Sequence, residues 1–422
     1  MQKISLPLGE MYKIQRVMRE ARGEKVYLAT FQAVNKPVVI HQFSLINRLK
    51  ALAEIETAVA LDHAHILRLY EALEDQSYCY LIYEPFTSDL AGNLQEFGPN
   101  SEMKVGKIAF QVMKAIQATH TKGIVHNRIN LHNIVLKMDG NTGEIVAKLT
   151  VYSTIHDKNA KKLSPFSAPE TAAGEITSKC DIWSLGVIMY ALLCGKTGLQ
   201  SIHTAPLSFP PTVTTEVQRL IKRMLAINPQ KRPSAVQVLE HSWIQQFTEQ
   251  PSLMAKSIRN AFKRLAAPSP PNPVKDALAL FVLYRLSPEY EVSNLGKVFT
   301  AIDTDGDGEL QRKELSAALG KMLPEGQVED MCQSILSHGN GAGVTLSQFL
   351  IAATGETETF SSVNVERVFA CLDLQDLKTV TEESCRPLLC LLRDVGSQMS
   401  VLALARTGEL TLRRIQHLCS KA

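Results

Sequence analysis

A chain of 422 residues exceeds one ordinary domain and suits two or three. Hydrophobic residues make up 45% and charged residues 21%, which excludes wholesale disorder, and a net charge of +3 is too small to argue for nucleic-acid or membrane partners. The 8 cysteines are scattered, with no Cys-x-x-Cys pair and no histidine at zinc spacing, so they read as reduced, mostly buried thiols. The first residues, Met1 to Ser5, hold no apolar run of signal-peptide length, and Gln2 excludes an N-terminal myristoyl group. The longest apolar run, Trp183 to Cys194, is too short to span a bilayer, so a soluble cytoplasmic protein without a transmembrane segment is expected.

From Tyr12 to about Glu84 the pattern favours strands. Lys25–Thr30 and Lys36–His41 are short and rich in β-branched and aromatic residues, with a polar turn between them. A helix carrying Glu54 follows, and then Cys79–Phe86 as a strand running into a hinge. Ser101 to Lys122 has apolar residues at helical spacing, with Val105, Ile108, Val112, Ile116 and His120 on one side. Next comes Gly123-Ile124-Val125-His126-Asn127-Arg128-Ile129-Asn130-Leu131-His132-Asn133-Ile134-Val135-Leu136, the end of a helix, a loop opened by His126 and a short apolar strand. A second strand, Ile145–Thr150, leads to Val151-Tyr152-Ser153. Further on stand Ala168-Pro169-Glu170, Asp181-Ile182-Trp183-Ser184-Leu185-Gly186-Val187, Lys231-Arg232-Pro233-Ser234 and Leu239–Ile244.

In order and spacing these motifs resemble a protein kinase. The resemblance implies an Arg232–Glu170 ion pair and an Asp181 that bonds the backbone of the loop opened by His126. It also marks losses. Arg19, Ala21 and Glu24 stand where three phosphate-approaching glycines belong, and His41 stands where a phosphate-pairing lysine belongs. Glu54, the usual partner of that lysine, is retained, either in contact with His41 or solvated on its helix, and Tyr83 narrows the back of the nucleotide cleft. Arg128 replaces the catalytic aspartate, and a guanidinium accepts no proton at ordinary pH. Asn133 is retained, whereas Val151 replaces the metal-holding aspartate and has no oxygen to offer. No catalytic residue is therefore assigned. The basic turn Lys158–Lys162 is expected to be exposed.

After Ile244 the composition changes. Ser252–Leu265 is basic and amphipathic, with Leu253, Ile258, Phe262 and Leu265 on its apolar side, and suits a calcium-sensor groove. A proline-rich spacer, Ala266–Pro273, separates it from a second amphipathic helix, Val274–Leu286.

Asp303 to Glu314 fits the twelve-residue EF-hand loop. Asp303, Asp305 and Asp307 supply side-chain oxygens, Glu309 its carbonyl, Gln311 a water-mediated contact and Glu314 two oxygens, with Gly308 at the sharp turn. The apolar residue at loop position eight, Leu310, recurs as Val344, Val380 and Leu410. The loops this marks, 337–348, 373–384 and 403–414, lack the acids for calcium and are kept to pair with a neighbour.

The whole arrangement resembles the calcium-dependent protein kinases of plants and protists. It implies an α+β chain: a bilobal kinase-like unit (lobes 11–86 and 87–245), a junction (246–290) and an all-α EF-hand domain (291–422) with the first hand intact. The function expected is a calcium-responsive pseudokinase that acts by binding protein partners. It would hold calcium at one site, contact its own junction with the EF-hands, and have no use for ATP and magnesium in phosphoryl transfer. The alternatives are an atypical calcium-dependent Ser/Thr kinase that retains ATP binding or weak activity, and a chain that binds nucleotide without metal, with Arg128 and His41 facing the phosphates.

Overall fold

The computed structural model describes residues 2–3, 8–21, 23–98, 101–138, 145–151, 164–195, 202, 206–248, 255–267, 272–287, 289–338, 343–354, 359–373, 378–381, 384–385, 388, 395–408 and 410–420. The basic turn 158–162 and Leu253 lie outside them.

The small lobe is a six-stranded sheet in the order β1-β5-β6-β4-β3-β2. Its strands are β1 (Gln2–Lys3), β2 (Tyr12–Ala21), β3 (Glu24–Phe31), β4 (Lys36–Ser44), β5 (Leu69–Glu74) and β6 (Tyr78–Tyr83). β4 runs three residues past His41, where the sequence reading ended it. A short helix α1 (Leu8–Met11) precedes β2, and α2 (Arg48–Ala60) packs on the sheet through Ala51, Glu54 and Ala58.

The central strands are apolar on both sides for a reason that lies far along the chain. Successive side chains of a strand point to opposite faces. On β6, Cys79, Leu81 and Tyr83 join the core shared with the large lobe, and Tyr80 and Ile82 join a second core with residues beyond 258. On β4, Val39 and Phe43 face the first core, and Val38 and Ile40 face the second. A sheet covered on both faces needs continuous apolar runs, and these strands have them.

The large lobe is built on α3 (Glu102–Thr121) and α4 (Ser178–Cys194). The small sheet β7 (Ser88–Asp89), β8 (Ile134–Met138) and β9 (Ile145–Leu149) lies at its top. Thr177 caps α4 by accepting from the backbone N–H of Lys179, and every residue from Cys180 to Leu193 is buried. The lobe is completed by α5 (Thr215–Met224), α6 (Ala235–Leu239) and α7 (Ser242–Gln245).

Two polar contacts lock it. The Asp181 carboxylate accepts from the backbone N–H of His126 (2.9 Å) and of Asn127 (2.7 Å). The Arg232 guanidinium grips Glu170 with both arms (2.6 and 2.8 Å), donates to the Ala226 carbonyl and stacks over Trp183.

The junction forms α8 (Ala255–Leu265) and α9 (Pro273–Phe281), and α9 widens into a π-turn over Val282–Leu286. Asn272 caps α9. The EF-hand half contains α10 (Glu289–Ile302), β10 (Glu309–Leu310), α11 (Arg312–Gly320), α12 (Glu325–His338), β11 (Val344–Thr345), α13 (Leu346–Thr354), α14 (Ser362–Leu372), α15 (Val395–Arg406) and α16 (Leu412–Ser420).

The position-eight residues do pair. Leu310 sits opposite Val344 in the β10–β11 ladder, and the backbone N–H of Val380 donates to the Leu410 carbonyl (2.9 Å). The fourth loop is a correction. Residues 403–406 remain helical in α15, and only Thr407 to Thr411 separate α15 from α16, so the stretch 403–414 is no twelve-residue loop. Without acids to coordinate an ion, nothing holds those residues out of the helix.

α8 lies along α13. Ile258 and Phe262 are buried, the Phe262 ring meets Phe349 edge-on, and Arg264 donates to the Ala352 carbonyl (2.8 Å). From the π-turn, Arg285 reaches the sheet, bonds Glu71 (2.6 Å) and Tyr12 (2.8 Å), and lies over the rings of Phe31 and Tyr70. Among the described residues no helix is long and apolar enough to cross a membrane. The six described cysteines are free thiols, five of them buried.

Replacing Arg232 strands a carboxylate in the large lobe. Arg232→Met is expected to destabilise that lobe by about 3–5 kcal/mol. Scanning calorimetry should show the lobe's transition moving down; an unchanged transition would contradict the role of the pair.

Candidate functional site

The cleft between the lobes holds the positions at which the motifs differ from a kinase. His41 is 2% exposed. Its Nδ1 lies 3.4 Å from Glu54 Oε1, and its Nε2 lies 3.6 Å from Glu24 Oε2. Glu54 is fully buried and also accepts from the Tyr83 hydroxyl, so the solvated alternative for Glu54 is corrected. The expectation that His41 faces a phosphate is corrected too, because carboxylates flank both ring nitrogens. Glu24, on the strand next to β4, also lies 3.7 Å from Lys50.

Burial works against a charged His41, but the charges of Glu54 and Glu24 outweigh it and hold its pKa above the ordinary 6.5. Beyond the hinge, the Asn133 side chain donates to the Arg128 carbonyl (2.7 Å), and His126 Nε2 meets the Thr150 carbonyl (2.6 Å). Val151 is 1% exposed. Of the two positions that hold magnesium in a kinase, Val151 offers no oxygen while Asn133 is retained, and the cation that would meet phosphate is a histidine flanked by two carboxylates.

The loop 303–314 is assembled for a hard cation. α10 ends at Ile302, so Asp303 opens the loop, and one carboxylate oxygen each of Asp303, Asp305 and Asp307 lies within 4.8 Å of the other two. Asp303 accepts from the backbone N–H groups of Gly306 (2.8 Å) and Gly308 (3.2 Å), both at positive φ (75° and 87°), where glycine is unstrained. Glu314 folds back over the loop and accepts from the backbone N–H of Thr304, Asp305 (3.3 Å) and Gln311 (3.2 Å). Burial, with the like charges of Glu314, Asp307 and Asp305, pushes the Asp303 carboxyl up to about 7, against the pull of Lys114. Crowded carboxylates that cannot all hold their charge comfortably are a donor set for calcium, and Asp303, Asp305, Asp307, the Glu309 carbonyl and Glu314 would hold it.

The reading of the residues missed what lies against this loop. Lys114 of α3 is 3% exposed, and its ammonium donates to the carbonyls of Asp303 and Thr304 (3.1 Å to the latter). A Cβ built at Gly306 would come within 2.8 Å of the Lys114 stem, so a side chain there would collide with α3. Lys122, two turns on, pairs with Glu309 (2.6 Å). Asp62 accepts from Arg68 and from the backbone N–H of Ser347 (2.9 Å), and its carbonyl lies 3.4 Å from a Cβ built at Gly308. The available signal was a lone lysine inside the apolar stretch Phe110–Ile116.

The sequence model described as Protein kinase domain matches residues 22–244, more than half of the chain. The chain belongs to the protein kinase family. It is 26% identical over 358 residues to calcium-dependent protein kinase 4 of Plasmodium berghei (strain Anka), a match covering 76% of this chain and 68% of that one. It is also 26% identical over 411 residues to calcium-dependent protein kinase 5 of Plasmodium falciparum (isolate 3D7), with 89% and 70% covered. With calcium-dependent protein kinase 3 of Oryza sativa subsp. japonica it shares 26% over 353 residues, with 77% and 62% covered. The affiliation with calcium-dependent protein kinases that the motif order implied therefore stands, as does the α+β class.

A raised histidine pKa carries a sign. The charged His41 stabilises the fold fully below about pH 6.5, and the contribution fades as pH rises through the raised value. The gap in melting temperature between the wild type and His41→Gln should be widest near pH 6 and narrow toward about pH 9. A gap that grows with pH would contradict the ion triad.

Proposed function

We propose that this chain is a calcium-responsive pseudokinase that acts by binding a protein partner. In this reading residues 11–86 and 87–245 are the kinase-like lobes, 246–290 the junction and 291–422 the sensor. The observation that carries it is the seating of loop 303–314 against α3, with the Lys114 ammonium on its backbone. Calcium, when bound, supplies two positive charges to a loop whose negative field Lys114 already shares. Lys114 therefore holds the sensor on the large lobe most firmly when the loop's carboxylates have no other cation, and by reciprocity a filled loop loosens that hold. Asp62, bonded at once to Arg68 and to the start of α13, passes the shift to the small lobe.

Loss of phosphoryl transfer rests on the cleft. A proton acceptor, a metal-holding carboxylate and a phosphate-pairing lysine are replaced by Arg128, Val151 and His41. Each tenfold in rate corresponds to about 1.4 kcal/mol, and three principal groups are gone together.

Titration calorimetry on the intact chain is expected to show one calcium site that Glu314→Gln abolishes. Lys114→Met, which removes a competing charge, should tighten calcium by about three- to tenfold. Magnesium-ATP should leave the melting temperature unchanged. No calcium heat, weaker binding in Lys114→Met, or a magnesium-dependent ATP shift would sink the corresponding part of the reading.

A further inference from the structure

Behind the hinge, a cavity with an empty volume of ≈ 740 Å³, partly open to solvent, is walled by all three parts of the chain. The segment His63–Arg68 and strands β8 and β9 form one side, the turn around Tyr284 another, and α10 and α13 the third. Five cations line it, Lys36, Arg68, Lys137, Lys148 and Lys297, against one carboxylate, Glu84. That carboxylate is already taken by Lys148 (2.7 Å) and by the backbone N–H of Arg68 (2.9 Å).

Buried polar atoms in its wall lack a hydrogen-bond partner among the described residues: the donors His63 Nε2 and Arg68 Nη1, and the acceptor His65 Nε2, whose ring spends its proton on the Ala147 carbonyl (3.1 Å). The backbone N–H of His65 donates to His63 Nδ1 (3.1 Å), so the neutral His63 ring carries its proton on Nε2, and that N–H has no acceptor. Arg68 spends Nη2 on Asp62 and stacks over the Tyr284 ring, and its Nη1 also has no acceptor. His63 is 4% exposed and Arg68 8%. Buried donors in folded proteins are almost always satisfied, so an unfilled pair on a cavity wall calls for acceptor oxygens inside it. Burial, and after it the charge of Lys148, pushes His65 down to about 3.

We propose that this cavity binds a small soluble molecule bearing phosphate groups, which takes hydrogen bonds from His63 Nε2 and Arg68 Nη1 and charge from the lysines around them. The apolar part of the wall, with Leu283, Tyr284, Val292 and Leu350, suits an organic portion on the same molecule. This site is separate from the interlobe cleft, where His41 and Arg128 lie. Because its walls come from the kinase-like lobes, the junction and the EF-hand half, an occupant ties the three together. Mass action then stabilises the docked arrangement over any arrangement in which they part.

The test uses the intact chain in calcium-free buffer at constant ionic strength, with inorganic pyrophosphate as the probe, read by calorimetry and by the melting temperature. Saturable binding with a rise in melting temperature is expected. Lys297→Met, a substitution on the EF-hand wall, should weaken it about tenfold, and His63→Ala at least as much, with His63→Gln, which keeps a donor, restoring part of the loss. Arg128→Ala in the cleft should leave it unchanged. Protease cleavage between α8 and α10 should slow when pyrophosphate is present. If His63→Ala fails to fold, Lys297→Met and Arg128→Ala still decide. The proposal is overturned if the folded chain shows no saturable binding up to roughly 10 mM pyrophosphate. It is equally overturned if binding depends on Arg128 and ignores Lys297.

Discussion

One buried guanidinium sets the arrangement of the whole molecule. Arg285 is 2% exposed, lies between the rings of Phe31 and Tyr70, and is neutralised by Glu71 with help from the Tyr12 hydroxyl. A buried pair of this kind adds little net energy over an apolar substitute, but separating the two partners is costly, because each is left charged in an apolar setting. The contact therefore acts as a register. It fixes where the junction meets the small lobe, and the position of the EF-hand half follows. Val282, Leu283, Tyr284 and Arg285 are all buried in the π-turn from which Arg285 reaches the sheet.

With that register set, further contacts between the halves come from Asp62 to Arg68, beside those of Lys114 and Lys122 with the loop 303–314. Asp62 bonds the start of α13, Ala64 packs against Gly296, and His63 lies between the loop 303–314 and the basic cavity. In the cleft the physics runs the other way. A kinase keeps a lysine free to move between carboxylate and phosphate, whereas here His41 is enclosed by Glu24 and Glu54. Tyr83 adds a hydroxyl that donates to Glu54, so the cleft carries a polar cluster of His41, Glu24, Glu54 and Tyr83. The scaffold contacts, Asp181 on the loop backbone and Arg232 on Glu170, persist because they hold the lobe together whatever the cleft does.

How much the sequence revealed depended on distance along the chain. The strands of the small lobe, α3 and the loop 303–314 were readable because their signals are local: short runs rich in β-branched and aromatic residues, helical spacing and fixed ligand positions. Arg232–Glu170 was readable because two short motifs name each other. What stayed hidden was every contact between distant segments. Val38, Ile40, Tyr80 and Ile82 read as strand residues, but nothing nearby says that their outer face is covered by residues more than two hundred positions later. Lys114 reads as a solvated helix lysine until Asp303 is set beside it. The enclosure of His41 by Glu24 needed the pairing of β3 with β4. The fourth repeat misled for another reason: the phase of Leu410 was right, but phase alone does not show whether the residues before it leave the helix.

The two-sided small-lobe sheet bears on how the gene can be cut. A fragment ending after Ile244 would carry every kinase-like motif, yet it would leave Ala29, Val38, Ile40, Tyr80 and Ile82 as a bare apolar surface beside an unneutralised Glu71. Such a surface invites association with other copies through the same strands that the junction normally shields. The kinase-like half of this chain therefore leans on its own tail to cover that face.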